Sequence, residues 1–156
     1  VSTFGSSPRI TPFLWFDQNA EEAVNFYLTV FKNSRRLSEL RSPSQTTVSE
    51  GKILTIAFEL DGQQFTALNG GPSFKFTEAI SFFVRCDNQQ EIDHYWAKLS
   101  DGGNEIQCGW LKDKFGLCWQ IVPATISDLI KHPKAMAAMM KMIKLDIAEL
   151  ERAASS

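Results

Sequence analysis

The stretch CGWLKDKFGLCWQIVP (108–123) gathers the side chains best able to do chemistry. It holds two thiols, Cys108 and Cys118, the indoles of Trp110 and Trp119, and an amide, Gln120, between Trp119 and Ile121. A thiol attacks or binds a metal only as the thiolate, which needs a positive or polar setting. An amide offers hydrogen bonds, and leaving it buried without a partner costs about 1–3 kcal/mol. Lys112 and Asp113 stand in the turn of the hairpin, where charge ordinarily faces solvent and Asp bonds its own backbone.

The rest of the chain adds little that could catalyse. Cys86, Cys108 and Cys118 form no CxxC or zinc-type cluster, so they are read as buried spectator thiols. Their odd number fits reduced thiols and a cytoplasmic setting. His94 falls on a predicted helix and His132 in a turn before Pro133, so both are read as surface or helix-packing residues. There is no Ser-His-Asp order, no G-x-S-x-G elbow and no phosphate loop.

These side chains must be placed by elements that composition already bounds. With 156 residues the chain suits one domain with a real core. A net charge of -2 with mixed signs and no basic patch argues against nucleic-acid binding. No apolar run reaches the ~20 residues of a spanning helix, and VSTFGSSPR lacks the apolar segment of a signal peptide, so no membrane partner is expected.

Residues 1–9 read as a polar lead-in. ITPFLWF (10–16) predicts a buried strand. Asn19, with Glu22 three residues on, predicts a capping box opening a helix whose apolar stripe is Ala20, Ala23, Val24, Tyr27, Val30 and Phe31. Strands follow around Arg35–Arg41, Lys52–Leu60 and Gln63–Leu68, the last two joined by the hairpin pair Asp61-Gly62. A connector, Asn69-Gly70-Gly71-Pro72, ends this half.

The order then repeats. AISFFVR (79–85) predicts a strand, Asn88 with Glu91 caps a helix carrying Ile92, Tyr95, Trp96 and Leu99, and Asp101-Gly102-Gly103 stops it. Short strands near Glu105–Gln107 and Trp110–Lys112 lead through the turn Asp113–Gly116 into Leu117–Val122. A shift of 69 residues lays Asn19 on Asn88, Glu22 on Glu91, Phe26 on Tyr95, Tyr27 on Trp96 and Phe13 on Phe82. Later, Gly62 meets Gly116 and Thr66 meets Gln120. The fold class is therefore α+β, two β-α-β-β-β modules over 10–72 and 73–124, within a domain spanning 10–124. A helical extension covers 125–156. Thr125 with Asp128 predicts a cap for a short helix, and Pro133 opens an amphipathic helix running to Ala153. Its face of Met136, Met140, Ile143, Ile147 and Leu150 suits either its own domain or a partner subunit, and the reading taken is the partner.

The motifs ITPFLWF, FYLTVF, LNGGPSFKFTEAISFFVRC, EIDHYWAKL and CGWLKDKFGLCWQIVP resemble the PhnB-like family of the vicinal-oxygen-chelate superfamily, which includes glyoxalase I, extradiol dioxygenases and fosfomycin and bleomycin resistance proteins. The resemblance covers about residues 10–150. It implies two curled sheets around a cavity and a homodimer. In the superfamily's metal enzymes the first and last strands of each half supply the ligands; by register these positions are Pro12, Thr66, Ser81 and Gln120. Of these only Gln120 could ligate, and one amide does not hold a divalent cation, so no metal and no cofactor is expected. The family carries the label 3-demethylubiquinone-9 3-methyltransferase. Gly70-Gly71, however, is followed by proline and an extended run, not by the helix that a cofactor-binding glycine loop opens.

The resemblance thus implies a metal-free protein that binds an unidentified small molecule, with Gln120 facing the cavity. Thr66 and Ser81 are its candidate partners, the same parity puts Leu14, Phe16, Phe83 and Cys118 in the walls, and Trp110, beside Gly109, can swing over the mouth. A satisfied core amide is the plainer reading of Gln120. The alternatives are an enzyme of the superfamily, or the methyltransferase that the label names.

Overall fold

In the sequence, aromatic and branched residues alternate with smaller or polar ones around two helical stripes, and this pattern produces two sheets, each carrying one helix. A computed structural model describes residues 7–156. The chain divides into two compact units, one ending at Lys75 and the other starting at Phe76. The boundary lies three residues beyond the expected one, and the C-terminal helices belong to the second unit.

The first unit holds β1 (Phe13–Phe16), α1 (Ala20–Val30), β2 (Arg35–Arg41), β3 (Ile53–Leu60) and β4 (Gln63–Asn69). Its sheet runs β1-β4-β3-β2, with β1 parallel to β4 and the other pairs antiparallel. Asp61 and Gly62, with φ of 46° and 88°, make the tight β3–β4 turn that the dipeptide predicts. One face of the sheet is the core: Phe58 stacks on Phe65 and on Tyr27 of α1, and Ile56 and Ala67 are fully buried beside them. The expected capping box at Asn19 does not form, since its side chain makes no cap bond. Asn69 replaces it, its Oδ1 accepting the Ala20 N–H at 2.9 Å.

The second unit repeats the order with β5 (Ser81–Cys86), α2 (Gln89–Ser100), β6 (Asn104–Glu105), β7 (Trp110–Lys112) and β8 (Cys118–Pro123). Its sheet runs β5-β8-β7-β6, with β5 parallel to β8. Here the side-chain cap forms: Asn88 Oδ1 accepts the Glu91 N–H, and Glu91 Oε1 reaches back one residue beyond the cap to accept the Asp87 N–H. Ile92, Trp96 and Leu99 of α2 and Leu111, Trp119 and Ile121 of the sheet form the buried face.

The extension is not one helix after Pro133. It forms α3 (Ile126–Leu129), α4 (Pro133–Lys141) and α5 (Ile147–Ser155). The Thr125 side chain makes no cap bond for α3; the Thr125 carbonyl accepts the Asp128 N–H instead. Between α4 and α5 the chain leaves the helix over residues 142–146. There the carbonyls of Met142 and Ile143 accept the N–H groups of Cys108 and Gly109, both at 2.8 Å. Leu145 and Leu150 bury themselves with Val122 and Ile126. The buried side chains of this segment pack within its own unit. Of the predicted stripe, Leu150 is buried, while Met136, Met140 and Ile143 are exposed.

Candidate functional site

Strand pairing sorts every side chain of a sheet to one face or the other. In the second unit Phe83 pairs with Gln120 and Gln120 with Trp110, while Ser81 pairs with Cys118 and Cys118 with Lys112. These are two adjacent rows on the face away from α2. Gln120 Nε2 donates to Ser81 Oγ at 2.8 Å, tying the rows together. Phe83 is 56% exposed, and Trp110, Lys112, Ser81 and Gln120 are half-buried. Gln120 is thus neither a core amide nor a solvated one. One donor is engaged, and its carbonyl accepts nothing from the described residues.

The first unit has the corresponding row: Phe13 pairs with Thr66, and Thr66 with Ala57. Phe13 is exposed and Thr66 half-buried. This corrects the parity assigned to β1. Leu14 and Phe16 pair with Ala67 and Asn69 and are buried on the α1 face, so they do not line the open one. The cause is one residue. Asp17-Gln18-Asn19 separates β1 from α1, whereas Asp87-Asn88 separates β5 from α2. The shift of 69 that aligns the helices therefore misaligns the strands, and Phe13 corresponds to Phe83 rather than to Phe82.

Lys112 is the cation of the two rows, and it pairs with Glu78, three residues before β5. The hydrogen bond from Lys112 holds the Glu78 carboxyl below its ordinary range, and the same bond pushes the Lys112 ammonium up. Cys118 belongs to the Lys112 row but is closed to solvent, and burial raises its thiol. A protonated buried thiol is a poor nucleophile. Cys118 therefore packs beneath the rows rather than lining an open wall.

Asp113 departs from its expected solvent exposure. It is only 2% exposed. Its Oδ1 accepts the N–H groups of Phe115 at 2.8 Å and Leu117 at 3.0 Å, and its Oδ2 accepts Trp119 Nε1 at 2.9 Å. The carboxylate builds the turn that sets the register of β7 against β8, and so the positions of Lys112, Trp110 and Gln120. His94 and His132 are exposed on or beside helices.

The donor set bears on whether these rows fit a metal. The open rows offer Phe, Thr and Ala in one unit, and Phe, Gln and Trp beside Ser, Cys and Lys in the other. Among the described residues no group of three or more His, Cys, Asp or Glu side chains could hold a metal ion. The residues present do not fit a divalent cation, which wants imidazole, carboxylate or thiolate. The connector Gly70-Gly71 has a different use. The Trp15 indole lies against Gly70, where an added Cβ would come within 2.4 Å of Cε2, and Trp15 Nε1 donates to the Gly71 carbonyl at 3.0 Å. The glycines seat a tryptophan, so the backbone there does not fit the close approach of a nucleotide-type cofactor.

Sequence reasoning missed Phe13, Lys112 and Glu78 as residues of the open faces. The β1–α1 spacing hid the first. The pair Lys112–Glu78 joins two charges far apart in sequence, and no local pattern announces it.

Comparison with known proteins follows from this geometry. The family model described as 3-demethylubiquinone-9 3-methyltransferase matches residues 8–122. A search of the curated proteins found no match. Among solved structures, a PhnB protein from Bacillus cereus is 35% identical with a TM-score of 0.69, covering 75% of this chain and 100% of its own. PA1353 from Pseudomonas aeruginosa is 20% identical with a TM-score of 0.64, covering 75% and 98%. FosX from Listeria monocytogenes, a fosfomycin resistance protein complexed with Mn(II) and sulfate, is 13% identical with a TM-score of 0.54, covering 80% and 96%. The two helix-bearing four-stranded sheets are thus those of the glyoxalase, or vicinal-oxygen-chelate, fold.

Proposed function

The chain belongs to the 3-demethylubiquinone-9 3-methyltransferase family, PhnB-like proteins of glyoxalase fold, and from that premise we propose that it is a metal-free protein that binds a small, partly aromatic molecule. The observation that carries the reading is the row Phe83–Gln120–Trp110 with Ser81 bonded to Gln120. A few convergent polar groups between aromatic surfaces are what a small-molecule site requires. The open face of the first unit carries a hydroxyl of its own, that of Thr66 beside Phe13. Leu14 and Phe16 pack in the core behind the open face of the first unit, and Cys118 packs under the rows of the second.

The donor chemistry speaks for binding without a metal, unlike the Mn(II) complex of the fold relative FosX. It also speaks against the transfer that the family's description names, because Trp15 occupies the Gly70-Gly71 turn. A thermal-shift screen over small-molecule classes tests the reading. Stabilisation by an aromatic class, lost in Gln120→Ala, is the expected result, and silence across all classes removes it. A stoichiometric metal in protein purified without chelator, or tight calorimetric binding of S-adenosylmethionine, would restore the enzymatic alternatives. A homodimer in the cytoplasm belongs to the same proposal, the latter resting on three unpaired thiols. Sedimentation that gives a monomer at micromolar concentration removes the dimer.

A further inference from the structure

The two rows on the second sheet differ in kind, and the difference points to a class of ligand. The row Phe83–Gln120–Trp110 offers aromatic surface and an amide, whereas the row beside it ends in the Lys112 ammonium. Phe83 and Trp110 sit on the strands either side of Gln120. At about 4.8 Å per strand their Cα atoms lie roughly 10 Å apart, which leaves room for one flat ring against them. Lys112 follows Trp110 by two residues on the same strand and so stands on the same face, about 7 Å along it.

What already touches Lys112 is a carboxylate, that of Glu78. Glu78 is exposed and stands on the segment ahead of β5, not in the sheet. An exposed ion pair of this kind contributes little to stability, so exchanging one carboxylate for another costs little. A ligand whose ring covers Lys112 would also lower the local dielectric and strengthen its own ion pair.

Resting on the ligand-binding reading above, we propose that this face takes a flat aromatic carboxylate. Its acid group replaces Glu78 on Lys112, its ring lies against Trp110 and Phe83, and any ring hydroxyl or carbonyl meets Gln120 and Ser81. Arg85 is the competing anion partner. It is exposed, follows Phe83 by two residues on β5, and forms no ion pair among the described residues, but it stands on the opposite side of the Gln120 row from Lys112.

Calorimetry with 2-naphthoate and 2-naphthamide, which share a ring and differ in charge, tests the assignment. The expected result is naphthoate binding at least about tenfold tighter than naphthamide in the wild type. Lys112→Met should erase that preference and Lys112→Arg should retain it. Glu78→Gln should tighten naphthoate alone, and Arg85→Gln should change neither probe. Equal binding of both probes overturns the carboxylate inference while leaving the binding reading intact. A preference that disappears in Arg85→Gln and survives in Lys112→Met overturns it too. Failure of both probes to bind at about 10 mM overturns it as well, and joined to a silent thermal-shift screen it takes the binding reading with it.

Discussion

Asn69, the last residue of β4, caps α1 by accepting the Ala20 N–H on its Oδ1 at 2.9 Å, while its Nδ2 donates to the Ile53 carbonyl at 3.0 Å. One buried amide thus fastens helix, β3 and β4 together. Asn69→Ala removes a cap and leaves the Ile53 carbonyl without its donor. A loss of about 2–3 kcal/mol is expected by urea unfolding, from a cap of about 1 kcal/mol and a buried bond of similar size. Asn19→Ala, at the position that local sequence marks as the cap, should lose only a few tenths.

That contrast shows what the sequence could and could not reveal. Asn88 with Glu91 and Asn19 with Glu22 are the same local signal, yet only the first becomes a side-chain cap. A long-range acceptor won at the second, and pattern reading has no access to it. Strand order, the Asp61-Gly62 turn and the duplication were legible because each rests on period or on short-range chemistry. The face of β1 was not, because one extra residue before α1 reverses every side chain of a strand. The break between α4 and α5 was also hidden, because Met140, Ile143, Ile147 and Leu150 keep helical spacing across it. The resemblance's register together with alternation puts Gln120, Ser81 and Phe83 on one face, whereas Lys112 and Glu78 meet only after folding.

Asp113 is a second residue whose weight the sequence understates. Its carboxylate takes three donors, two from the backbone of the turn and one from Trp119. Asp113→Ala strands buried N–H groups, and a loss of about 3–5 kcal/mol is expected from equilibrium unfolding. Asp113→Asn can keep the backbone bonds through its Oδ1, but it then turns an NH2 group toward the indole N–H, so a smaller loss of about 1–2 kcal/mol is expected. If Asn matches wild type, the Trp119 bond contributes nothing.

Stability should fall in alkali through Cys86. Burial, and then the charges of Glu91 and Asp87, push this thiol up to about 12 from an ordinary 9.0. The folded state therefore keeps a proton that the unfolded chain releases above about pH 9, so the unfolded state binds fewer protons and folding weakens as pH rises between those values. The slope is at most about 1.4 kcal/mol per pH unit. Cys86→Ala should flatten this decline between about pH 9 and 10.5, as measured by urea midpoints at each pH. An unchanged slope would show that the thiol ionises in the folded protein as freely as in the unfolded chain.

Leu145 tests where the C-terminal segment belongs. It is fully buried with Val122, Ile126 and Leu150, and its side chain lies against Gly109, where an added Cβ would come within 3.0 Å of Leu145 Cγ and Cδ1. The Gln89 side chain holds the backbone around it, donating to the Leu145 carbonyl and accepting the Ile147 N–H. Leu145→Ala opens a cavity that the clamped backbone cannot close, at an expected cost of about 2–5 kcal/mol. Because these contacts lie within one unit, the difference from wild type should be the same at every protein concentration. An interface residue behaves otherwise, since its loss weakens association and the deficit then varies with dilution by mass action. Unfolding midpoints of wild type and Leu145→Ala at two concentrations about a hundredfold apart decide between them, and a gap that widens on dilution would place the segment against a partner subunit.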